Sequence, residues 1–209
     1  MSTISSIRSD GSTLSRLDRA LFRLESALTL VAGLTIFALV CLAVVHVLSR
    51  KFLNAPVPGF VDWTEQFMAI FAFLGLSYTQ REGGHIRMDI LLGLLRGRWV
   101  WLFEWLSVLF MLLITTVLIY GTWYHFARSF DWNAPLFSRD SSIDIALPIW
   151  PAKLIVTFSL ALLWLRLALQ LWAYGRALIT GARHPVAVPL VETPEEAAFK
   201  EAQSVAGVE

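Results

Sequence analysis

The chain has 209 residues, of which 56% are hydrophobic and nine are Trp, with a formal net charge of +1 and a mean hydropathy of +0.63. That is too apolar for an ordinary soluble domain of this size, and the near-neutral balance gives no reason to expect a nucleic-acid partner. A single Cys excludes an intramolecular disulfide and a metal cluster built from cysteines.

Residues 1–23 carry Arg8, Arg16, Arg19 and Arg23 and form a short segment ahead of the first apolar run. That run, Ser26 to Leu48, exceeds a signal-peptide core and is followed by no small-residue cleavage site. It is therefore expected to be a retained anchor, with the mature chain beginning near Met1. Cys41 lies inside it, where packing in the core is the expected role. Arg50 marks its end.

A second span is predicted from Phe60 to Gln80, about the ~20 residues needed to cross the hydrocarbon core. Asp62 then falls in the first turn as a cap for free amides, and Glu65, three residues on, faces the positive end of the helix dipole. Ala69, Ala72 and Gly75 recur at three-residue spacing and predict close approach of a neighbouring backbone. Gly83 and Gly84 end the helix, beside Arg81, His85, Arg87 and Asp89.

The stretch Met88 to Trp101 holds an apolar run too short to cross, backed by arginines. A helical segment lying along the interface is expected there, as a partner ledge or as a plain connector. Third and fourth spans follow at about Trp99 to His125 and Pro148 to Tyr174. The predicted fold is thus all-α and integral to the membrane, with four transmembrane helices in residues 24–175 and a flexible tail over 176–209.

Arginine and lysine set the orientation. Arg8, Arg16, Arg19 and Arg23, the group Arg81, Arg87, Arg96 and Arg98, and Arg176, Arg183 and Lys200 fall on one side. Arg50, Lys51, Arg128, Arg139 and Lys153 fall on the other. The positive-inside rule then puts both termini in the cytoplasm.

In order along the chain stand Arg50, Pro58, Asp62-Trp63-Thr64-Glu65, Phe73-Leu74-Gly75-Leu76, Arg81 to Asp89 as REGGHIRMD, and Leu147-Pro148-Ile149-Trp150. Over about Ala27 to Trp172 this set resembles the small membrane subunit, DctQ-like, of tripartite ATP-independent periplasmic (TRAP) transporters. The resemblance implies a bacterial inner-membrane, non-catalytic scaffold for a large multi-span subunit that holds the solute and cation sites. A periplasmic solute-binding protein would deliver the solute, typically an organic acid, for import driven by a cation gradient without ATP.

No phosphate-binding loop or metal-ligand cluster is present in the sequence, and no enzymatic activity or cofactor is expected. Candidates for structural or subunit-interface roles are Arg50, Asp62, Glu65, Gly75, Arg81, His85, Arg87 and Asp89. For Glu65 the helix-start role is preferred over a polar contact with the partner. The resemblance favours His85 as a hydrogen-bonding hub over an exposed loop histidine. Arg81 and Arg87 are expected among the headgroups of membrane lipids, with Asp89 pairing to either.

Glu104 and Arg166 come closest to being buried charges, about 8 and 12 Å from the inner interface at ~1.5 Å per residue, and are predicted to pair, against a lone Arg166 that snorkels. Two other classes stay open. His46 and His125, near span ends on one side, could ligate haem in a small membrane cytochrome b-like protein. A free-standing membrane adaptor is the third reading.

Overall fold

A computed structural model describes residues 13–82 and 98–180, and all regular elements among them are helical. Helix α1, Thr13–Leu48, runs into a widened π-type turn, Ser49–Leu53, closed by Asn54 in the left-handed conformation at φ 50°. Helices α2, Phe60–Leu74, and α3, Leu76–Arg81, follow. Then come α4, Arg98–Ser129, a single 3₁₀ turn, Pro135–Phe137, and α5, Trp150–Thr180.

Three helical stretches among the described residues are long and apolar enough to cross a membrane: Thr13–Leu53, Trp101–Ser129 and Trp150–Ile179. The predicted second span is instead divided at Gly75, whose φ of −83° and ψ of −12° loosen the turn between α2 and α3. An added Cβ at Gly75 would meet nothing within 4 Å. This glycine therefore marks the break in the helix and not the close backbone approach expected from its spacing with Ala69 and Ala72.

Helix α1 also departs from expectation by beginning at Thr13, well ahead of Ser26, and running across the boundary drawn at residue 23. The reason is that its early charged turns pack against other helices: Leu14, Ser15, Asp18 and Glu25 are all buried. Cys41, expected in the core, is exposed.

Helix α5 is the hub of the packing, with α4 along one side and α2 and α3 along another, while α1 leans mainly on α2. Its most apolar stretch is 44% buried, against 17% for α4 and 6% for α1. Val108 of α4 meets Leu160, Leu163, Leu167, Ala173 and Tyr174 of α5 in a core that also takes in Leu14. Because lipid tails are as apolar as leucine, van der Waals packing and interhelical hydrogen bonds must hold such helices together. Trp164 Nε1 accordingly donates to Thr116 Oγ1 at 2.9 Å, joining α5 to α4, and Gln80 Nε2 donates to Gln170 Oε1 at 2.8 Å, joining α3 to α5.

Candidate functional site

Two polar assemblies stand out, one at each end of the helices. The first begins with Asp18 and Glu25, seven residues apart and so two turns along one face of α1. Both are buried, as are Arg81 of α3 and Arg166 of α5. Arg166 forks across the two acids: Nε and Nη2 donate to Glu25 at 2.8 and 2.5 Å, while Nη1 donates to Asp18. Arg81 reaches the other Asp18 oxygen through Nη2 at 3.0 Å and lies 4.0 Å over the Phe22 ring. Ser77 donates its hydroxyl to Glu25.

Two carboxylates and two guanidiniums thus neutralise one another where three helices meet. Burial of single charges is costly unless they are paired and hydrogen-bonded, and the bidentate fork supplies both. The predicted Glu104–Arg166 pair gives way to this arrangement. Glu104 is itself buried on α4, yet the ion pairs of Arg166 run to Asp18 and Glu25. Arg81, expected among headgroups, is 5% exposed and belongs to the same cluster, with Glu82 at 2.9 Å on its outer flank.

At the opposite end Asp62 is buried, but not as a cap. The N-cap residue of α2 is Gly59, with no side-chain cap bond, and Asp62 Oδ2 faces a different segment. It accepts from Ser142 Oγ at 2.6 Å and from the backbone amides of Asp144 and Ile145 at 3.2 and 2.9 Å. Gln66 Nε2 adds a bond to the Pro148 carbonyl at 3.1 Å. Gly59 has φ 68°, and a Cβ there would lie 2.3 Å from the Ile145 side chain, so only glycine lets the loop sit so close. The loop before α5 is thereby latched to the start of α2.

Beside the latch, the ends of α4 and α5 frame an open cavity of about 430 Å³ lined by His125, Arg128, Ser129, Arg139, Asp140 and Lys153. Ser129 donates to Asp140 at 2.5 Å, and Lys153 pairs with the same carboxylate at 3.0 Å. The Ser129 hydrogen bond and then Lys153 hold the Asp140 carboxyl below its ordinary value. Asp131 is lowered by the Asn133 amide and then by Arg139, which it meets at 2.9 Å.

The other sequence candidates fall apart from these assemblies. Arg50 and Glu65 are exposed. His85, Arg87 and Asp89 lie outside the described residues, as do most of the expected interfacial segment and the tail. His46 stacks on Phe60 at a centroid distance of 4.1 Å, while His125 lines the basic cavity, so the two imidazoles sit in separate surroundings.

Sequence reasoning missed Asp18 and Glu25, although two acids at a seven-residue spacing beside Leu14 carried a signal. It also missed Ser142 as the loop partner of Asp62. A family model described as "Tripartite ATP-independent periplasmic transporters, DctQ component" matches residues 39–175. No curated protein matches the chain.

Proposed function

The chain belongs to the DctQ family, the small permease component of TRAP transporters, and from that membership we propose that it is the fixed scaffold of such a transporter. It would hold a large multi-span subunit in place while that subunit imports a periplasmic solute, an organic acid, on a cation gradient. Both termini would lie in the cytoplasm of a bacterial inner-membrane complex, with α2 and α3 together completing the fourth crossing.

The observation that carries the reading is the charge cluster. Asp18, Glu25, Arg81 and Arg166 are spent on one another across α1, α3 and α5, which suits a body that must stay rigid. Intramembrane charges of a pathway can pair in the same way, but those that face a water-filled cavity stay within reach of solute, whereas Arg166, Glu25 and Asp18 are only 1%, 0% and 3% exposed. A rigid body with buried, self-paired charges supports its partner's motion without supplying a route of its own.

The test is purification of the tagged chain from its native membrane under gentle solubilisation, with an absorption spectrum of the same sample. A stoichiometric multi-span protein and no haem band is the expected outcome. A lone coloured protein would replace the scaffold by a cytochrome, and a lone colourless, functional one by a free-standing adaptor.

A further inference from the structure

The cavity between the ends of α4 and α5 has a charge imbalance that its own residues do not remove. Its volume of about 430 Å³ falls in the ~300–1,000 Å³ range of small-ligand sites. Of its cations, Lys153 is matched by Asp140 at 3.0 Å and Arg139 by Asp131 at 2.9 Å. Arg128 differs. Arg128 is exposed, with its guanidinium 5.4 Å from the Tyr124 ring centroid; it exerts a minor Coulombic pull on Asp140 but forms no close ion pair with a carboxylate among the described residues. Asp140 Oδ2 is already taken by Ser129 and Lys153.

We propose that this cavity binds one carboxylate group, received by the planar fork of Arg128 within the positive field of Arg139 and Lys153. A guanidinium presents paired donors that match the two oxygens of a carboxylate. After the two internal pairs the surplus is a single guanidinium charge. That surplus balances the charge of one carboxylate group. Ser129 donates to Asp140 and accepts from Lys153, which ties this internal pair together.

Two sources share this chemistry: the carboxylate of a free organic acid, and an acidic side chain of a protein docked on this face. The second rests on the transporter reading above, whereas the first does not.

The experiment uses the complex as purified. Thermal unfolding is followed with sodium succinate, with succinamide and sodium chloride as uncharged and ionic-strength controls, on the native chain, Arg128→Gln and Lys51→Gln, the last an exposed cation outside the cavity. A midpoint raised by succinate alone, and lost only in Arg128→Gln, assigns the site to a free carboxylate. If succinate has no effect, affinity for the cognate periplasmic binding protein is measured on the same samples. A loss of about tenfold or more in Arg128→Gln, partly restored in Arg128→Lys and absent in Lys51→Gln, assigns it to a docked side chain.

An unchanged response in both arms, or an equal loss in Lys51→Gln, overturns the proposal. Retention of the large subunit in the Arg128→Gln sample reports separately on the scaffold reading. If none co-purifies even with the native chain, that reading fails while the succinate arm still decides the cavity.

Discussion

Arg166 holds more of the molecule together than any other charge, because its guanidinium serves two carboxylates that have no water to fall back on. Arg166→Ala should leave Glu25 buried with only the Ser77 hydroxyl and Asp18 with Arg81 alone, and lower stability by about 3–5 kcal/mol. Arg166→Lys keeps the charge but loses the fork, so its unfolding midpoint should fall between those of the alanine variant and the native chain. A thermal melt of the purified variants decides this, and a silent alanine variant would mean that Arg166 reaches headgroups by itself. The sequence showed Arg166 as a lone charge in an apolar run, but placed its partner by depth along the helix, which pointed to Glu104. Asp18 and Glu25 were hidden among the exposed Arg16, Arg19 and Arg23, because a charged stretch ahead of an apolar run reads as solvated tail. What it cannot display is that a helix continues beyond its crossing and turns one face of that stretch inward.

The latch between α2 and the loop before α5 shows the same limit at the level of elements. Asp62 was legible as a helix-start carboxylate, yet its partners, Ser142 and the amides of Asp144 and Ile145, lie some 80 residues away. Capping chemistry is local and can be read from spacing, whereas this contact depends on how α2 and α5 pack. The two glycines of α2 and its boundary should separate cleanly. Gly59→Ala forces a side chain into left-handed backbone and against Ile145, and should cost about 1–3 kcal/mol. Gly75→Ala has right-handed helical backbone and open space, and should stabilise by about 0.4–1 kcal/mol by restricting the unfolded chain. Melting curves of the two variants moving in the same direction would contradict this assignment. Acid should act on the adjoining loop in a defined window. Asp131 and Asp140 are lowered in the folded loop from an ordinary 3.8, so their pairs contribute fully above that value and are lost as pH falls through the lower folded values. Intrinsic fluorescence of the nine Trp should therefore be flat from neutral pH to about pH 5 and change below about pH 4, with the change reduced in Asp140→Asn. A transition centred near neutral pH would assign it to other groups.

Across the whole molecule burial falls steeply from α5 to α1, and this gradient bears on how the subunit meets its surroundings. The most apolar stretch of α1 is 6% buried, and Leu30, Leu34, Phe37, Val40, Val44 and Val47 are all more than half exposed. An all-α membrane architecture was legible because ~20-residue apolar runs have few other uses. Which helix lies outermost was not, since α1 and α5 are similarly apolar and differ in what the rest of the bundle offers them. Exposure of this kind costs nothing against lipid, so α1 needs no cover to be stable; it does leave a face free for close packing with another membrane protein. Within the scaffold reading, α1 is the surface available to the large subunit, because Asp18 and Glu25 fix its start to α3 and α5 and its later turns lean on α2, while the face turned away from α2 stays exposed. A photo-reactive residue at Phe37 or Val44 should then cross-link to the large subunit in the native membrane, whereas one at Val117, exposed on α4, should capture lipid. Cross-links from Val117 alone would move the interface to α4 and leave α1 facing the bilayer.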